Sequence, residues 1–146
     1  MARALGLDFG TTNTVMALAQ PDGLAAPVTF EAHGEDVKAL RTALCFWRQG
    51  LSAQSPVVTE VGPWAIEQFI EHPGECRFMQ SMKSFAASAS FQGTRVFQRM
   101  MSFEELMTTF LDKAFAHSAA ALGDRPSRIV VGRPVKFAGA APDPAL

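Results

Sequence analysis

The chain has 146 residues, enough for one domain with a real core. No apolar run reaches the roughly 20 residues of a membrane helix, and a formal charge of -1 with scattered basic residues leaves no electrostatic footprint for nucleic acid. Charged residues make up only 18% of the chain and Phe occurs 12 times with no Tyr, so either the core is large or some apolar surface is normally covered by something else.

Ala4 to Phe9 is an apolar run with Asp8 near its end; it breaks at Gly10 into Thr11-Thr12-Asn13, and alternation resumes at Val15. This is the pattern of strand, tight turn, strand. Three strands are expected at the start, over Arg3–Phe9, Thr14–Ala19 and Ala26–Ala32, with Pro21-Asp22-Gly23 as the second turn. After a polar loop at His33–Asp36, Leu40 to Trp47 reads as one strand and Val57 to Val61 as another. Pro63 suits a helical first turn, which predicts a helix over Trp64–Glu71 that stops before Pro73-Gly74. His72 has no second His or Cys at metal spacing and reads as a turn residue.

A strand running into a helix is expected between Arg77 and Ser84, then a loop over Ser88–Thr94 and a strand over Arg95–Gln98. Ser102-Phe103-Glu104-Glu105 is a capping box. Apolar residues at helical spacing from Phe103 to Leu122 predict a helix of about five turns, ended by Gly123 and buried along one stripe. Asp112 and Lys113 would face solvent, and His117 would lie at the surface or boundary. A turn at Asp124–Ser127 leads to a buried strand over Arg128–Val135, and the tail from Ala138 reads as loose. Strands bracketing a long helix make the fold class α/β. Cys45 and Cys76 lack CxxC spacing and read as reduced thiols, with a disulfide as the less favoured alternative; Met1–Arg3 enters a strand without a leader, so the expected location is cytoplasmic.

Two stretches carry chemistry. At Gly10 a permissive backbone could turn the N–H groups of Thr11, Thr12 and Asn13 into one concavity, a nest for phosphate oxygens. Asp8 beside such a nest is what a magnesium nucleotide needs, since Mg²⁺ keeps several waters and takes few carboxylates. A plain hairpin whose Asp bonds its own turn accounts for the same residues about equally well. Lys83, on its residues alone, reads as a solvated surface lysine.

Gly6-Leu7-Asp8-Phe9-Gly10-Thr11-Thr12-Asn13-Thr14 resembles the first phosphate motif of the actin, hexokinase and Hsp70 superfamily, and within it is most similar to the Hsp70 version. The resemblance implies that Asp8 meets Mg²⁺ through water while Gly10, Thr11, Thr12 and Asn13 hold the β- and γ-phosphates of ATP. Arg77 to Phe85 resembles the Hsp70 segment in which a lysine begins a helix beneath the γ-phosphate, which implies a catalytic Lys83. Val130 to Phe137 resembles the Hsp70 stretch ending in Val-Pro-Ala-Tyr-Phe, which implies a relay role for Pro134. Arg133 and Lys136 depart from that pattern and look more like the short Hsp70-like bacterial chaperones. Arg41–Phe46 and Val61–Phe69 are looser matches: the first lacks the family's Pro, and the second leads to His72-Pro73 instead of Asn-Pro.

The implied architecture is the N-terminal half-lobe of an actin-like ATPase. Residues 1–35 and 102–146 would form a ribonuclease-H-like mixed sheet, and 36–101 an inserted α/β subdomain. The implied activity is MgATP hydrolysis in a longer parent chaperone, with unfolded client proteins or co-chaperones as partners and neither nucleic acid nor membrane. The family's second phosphate loop, catalytic carboxylate and adenosine-binding residues follow later, so these 146 residues alone are expected to be inactive. Two alternatives use the same fold: a sugar or acyl-phosphate kinase, and an actin-like filament protein. Neither GxxxxGK[ST] nor GxGxxG occurs, which argues against a P-loop or dinucleotide fold.

Overall fold

The computed structural model describes residues 3–86, 88, 90–123 and 126–132. It is a mixed α/β fold. The chain opens with β1 (Ala4–Phe9), β2 (Asn13–Ala19) and β3 (Ala25–Pro27), each antiparallel to the one before. Strand alternation sends Leu5, Leu7 and Phe9 of β1 and Thr14, Met16 and Leu18 of β2 into the core, leaving Gly6, Asp8 and Val15 on the other face. Near its far end the described chain returns as β12 (Arg128–Val131), parallel to β1, giving the order β12-β1-β2-β3.

The expected third strand is split. Val28 still donates its N–H to the Met16 carbonyl, but β4 (Phe30–Ala32) then leaves the sheet and pairs with β5 (Glu35–Val37). The loop expected at His33–Asp36 shrinks to the two-residue turn of that hairpin: φ is 54° at His33 and 81° at Gly34, the combination that matches the twist of paired strands.

The strand expected over Leu40–Trp47 also divides. β6 (Leu40–Arg41) pairs with β2, Thr42 makes the corner, and β7 (Ala43–Arg48) becomes the centre of a second sheet. That sheet is antiparallel, in the order β8-β7-β9, with β8 (Val57–Val61) and β9 (Cys76–Gln80) as its edges. Between them runs α1 (Gly62–Glu71), with Pro63 in its first turn, packed on β7.

β9 leads into the short α2 (Lys83–Ala86). The strand expected at Arg95–Gln98 is a hairpin, β10 (Thr94–Val96) and β11 (Arg99–Met101), turned at Phe97 with φ 54°.

The capping box forms as expected: Ser102 Oγ accepts from Glu105 N–H at 3.2 Å and Glu105 Oε2 accepts from Ser102 N–H at 2.9 Å. It starts α3 (Phe103–His117), whose Leu106, Phe110 and Ala114 are buried. Phe110 meets Phe9 edge-on, with centroids 5.6 Å apart, and so joins helix to sheet. Each such buried side chain contributes roughly 1.5–3 kcal/mol by leaving water. The long helix is interrupted at the buried Ser118, whose hydroxyl donates to the Phe115 carbonyl; α4 (Ala119–Leu122) continues to Gly123. The strand expected to be buried, β12, is instead exposed along its length; among the described residues it has a strand on one side only. No helix among the described residues is long and apolar enough to cross a membrane.

Candidate functional site

The strand alternation that buries Phe9 turns Asp8 outward at the end of β1. Its strand partner is Val15, and on its other side Gly132 donates its N–H to the Leu7 carbonyl at 2.8 Å. A Cβ at Gly132 would lie 4.0 Å from Asp8 Oδ1, so the carboxylate stands beside a residue that leaves it room. Among the described residues Asp8 has neither an ion-pair partner nor a side-chain hydrogen bond, which removes the self-capping hairpin explanation for its presence.

Gly10 is needed for a reason other than the expected one. Its φ is not in the left-handed range; instead its N–H donates to the Asn13 carbonyl at 3.0 Å, and a Cβ would sit only 2.2 Å from that oxygen. This close approach folds Thr11 and Thr12 into an exposed tip. The Thr12 carbonyl accepts from Thr42 N–H at 2.9 Å, and the Thr14 and Thr42 hydroxyls bond each other at 2.8 Å in full burial. Among the described residues the N–H groups of Thr11 and Thr12 have no acceptor. Two amides and two hydroxyls at the exposed tip, near a carboxylate with no partner among the described residues, form a polar edge that can take an anion and its counter-cation.

Lys83 begins α2, so a strand does run into a helix where the sequence points. The backbone turns sharply at Ser81, φ 58°, and the buried Met82 anchors the corner. Lys83 itself is half-buried and has no carboxylate partner among the described residues. Its connection to the loop runs through the second sheet: Thr42 holds Thr12, Ala43 pairs with Gln80 at the end of β9, and Lys83 follows three residues on. The loop is thus held at the Thr42 corner, and the strand leading to Lys83 pairs with the next residue, Ala43, the first of β7. Pro134, with Arg133 and Lys136, lies outside the described residues. Arg77 donates to the Arg95 carbonyl and to Thr94 Oγ1, which ties β9 to β10.

One cluster escaped the sequence. His117 lies flat on the indole of Trp64, centroids 3.5 Å apart and planes within 5°, and its Nε2 meets Glu60 Oε2 at 2.7 Å. Lys113 reaches Glu60 Oε1 at 3.2 Å, so neither basic residue simply faces solvent. The group spans α1, β8 and α3, and no local spacing signals it. The thiols are free: Cys45 is fully buried and Cys76 half-buried, and burial, with Cys76 adjoining, pushes the Cys45 thiol up to about 12. Among the described residues no three His, Cys, Asp or Glu side chains gather into a metal cage. A half-open pocket of about 210 Å³, lined by residues including Phe46, Val96 and Met101, involves none of the loop residues.

No protein-family model matches the chain.

Proposed function

We propose that this chain is the phosphate-binding segment of an Hsp70-like chaperone ATPase. The observation that carries the reading is the end of β1, where, among the described residues, Asp8 has no charged partner and the Thr11 and Thr12 amides of the adjoining tip have no acceptor. An unpaired carboxylate next to unused donors suits a ligand that brings both negative oxygens and a divalent cation.

The strand order gives further support. Three consecutive antiparallel strands with β12 parallel to β1 is an arrangement compatible with the ribonuclease-H-like half of the actin fold, and residues 43–80 build a separate sheet within the segment read as the inserted subdomain. In this reading Thr11, Thr12 and Asn13 would hold the β- and γ-phosphates on the turn that Gly10 makes, and Asp8 would hold Mg²⁺ through water. The metal supplies charge neutralisation at the transferring phosphoryl group. Lys83 stabilises the same developing charge and orients the attacking water. Client proteins and co-chaperones belong to the longer parent.

The test is a titration of the ¹⁵N-labelled chain with magnesium tripolyphosphate. Binding near ~1 mM, about 4 kcal/mol, is expected for half a cleft, with amide shifts concentrated at 8–13. Unmoved amides at Gly10–Asn13 at saturating concentrations would sink the reading. In the longer polypeptide, ATP turnover with and without sugars separates the kinase alternative, and sedimentation with ATP separates the filament alternative.

A further inference from the structure

The outer side of α1 carries a stripe that the fold does not use. Ala65 of α1 is buried and Trp64 packs on His117, but Pro63, Ile66 and Ile70 follow at helical spacing on a different face, flanked by Glu67 and Glu71. Ile70 is 69% exposed. The opposite wall is the β4–β5 turn, where His33 Nδ1 approaches Glu67 Oε1 at 3.6 Å. Together these residues enclose an open groove of about 470 Å³. Five positions of α1 along the stripe span about 12 Å, two helical turns.

Two carboxylates, Glu67 and Glu71, line the groove, and neither its lining nor α1 carries a Lys or Arg. Glu71 lies in the last turn of α1, against the negative end of the helix dipole, where a carboxylate is unfavourable unless a cation comes near. An isoleucine left in water beside such a carboxylate contributes nothing to this fold.

We propose that this groove docks a cationic amphipathic helix of a partner protein, whose aliphatic side chains fill the Pro63–Ile66–Ile70 stripe and whose Lys or Arg side chains pair with Glu67 and Glu71. A helix laid in a groove presents anchors at i, i+3, i+4 and i+7, the spacing of the stripe itself. Charge opposition would speed encounter and select against acidic partners, while the buried isoleucines hold the complex. The proposal does not depend on nucleotide binding.

The probe is a fluorescein-labelled synthetic helical peptide with Leu at i, i+3, i+4 and i+7 and Lys elsewhere, titrated with the intact chain by anisotropy. One-to-one saturable binding is expected, weakening about tenfold or more between about 50 and about 300 mM salt. Glu67→Gln with Glu71→Gln should weaken binding about tenfold and flatten the salt dependence, and Ile70→Ser should weaken it about fivefold. Glu104→Gln, on exposed α3 surface, should bind as the parent does. Should a variant fail to fold, amide shifts of the unsubstituted chain on peptide addition replace it and should centre on 63–71. Binding that the Glu67, Glu71 and Ile70 changes leave intact, amide shifts centred elsewhere, or no saturable binding at all overturns the proposal. So does sedimentation showing the chain self-associating through Ile70.

Discussion

The hydroxyls of Thr14 and Thr42 bond each other at 2.8 Å with both residues fully buried, and this contact helps join the strand after the candidate phosphate loop to the corner where the chain changes sheets. Thr42→Val leaves the Thr14 hydroxyl without its partner in the core, which should cost about 1–3 kcal/mol. Valine at both positions removes donor and acceptor together, so the double variant should recover much of that loss. Urea unfolding of the two single variants and the double checks it. Simple additivity would mean the hydroxyl pair contributes no coupling.

The stack of His117 on Trp64 joins the end of α3 to the start of α1, with Glu60 holding the imidazole. Exchanging His117 for Ala should cost roughly 1 kcal/mol and change the emission of Trp64 in a Trp47→Phe background. A double-mutant cycle between positions 64 and 117 should return a coupling of about 0.5–1.5 kcal/mol. An emission spectrum unchanged by His117→Ala would contradict the stack.

What the sequence could convey follows from which signals are local. Leu5, Leu7 and Phe9 alternate along six residues, and Ser102 with Glu105 satisfy each other within one turn; both readings hold in the structure. The outward-facing Asp8 is legible by the same alternation. The break at Thr42 is not, because an apolar run looks the same whether one sheet or two receive it. Exposure of Val130 and Val131 likewise depends on what covers β12, and no residue in the strand encodes that. Gly10 reads as a turn residue from the sequence, but its constraint, the Asn13 carbonyl oxygen where a Cβ would lie, is a contact and not a pattern. The acidic stripe of α1 has a helical period, yet Trp64 and Ala65 disguise it by lying among its residues.

Ser102→Ala removes the acceptor for Glu105 N–H and should cost about 1 kcal/mol. The Ser102 backbone N–H, and then Arg99, hold the Glu105 carboxyl below its ordinary value, while the Glu104 carboxyl is lowered chiefly by its own backbone N–H. A lowered folded value means stability that is present above the unfolded carboxyl pKa, near 4.5, and lost as pH falls through the folded one. Glu105→Gln should therefore keep the cap geometry and flatten the acid limb of the thermal melting curve. An acid limb identical to the parent's would rule out this contribution.

Burial raises the Cys45 thiol from 9.0 to about 12, whereas Cys76 is reachable from solvent. The neutral thiol is the folded form, so its contribution is full below pH 9 and declines between about 9 and 12, where only the unfolded chain ionises. Iodoacetamide at pH 8 should modify one thiol per folded chain, at Cys76, and two in denaturant, read by peptide mass mapping. Cys45→Ala should remove part of the stability loss above pH 9. Rapid labelling of Cys45 in the folded chain would show that its strand opens far more readily than its burial implies.

Gly10→Ala puts a methyl group where the Asn13 carbonyl oxygen lies 2.2 Å away, too close for any relaxed side chain. The Gly10–Asn13 hydrogen bond must open and the Thr11–Thr12 tip must rearrange, while Phe9 and Thr14 remain anchored in the core. Stability should therefore fall by only about 1–3 kcal/mol, the scale of local strain, whereas tripolyphosphate shifts at residues 8–13 should disappear. Asp8→Asn leaves the tip intact and should weaken the magnesium complex far more than tripolyphosphate alone. Equal loss with and without magnesium would remove Asp8 from the cation's side of the site and leave the tip as a bare anion nest.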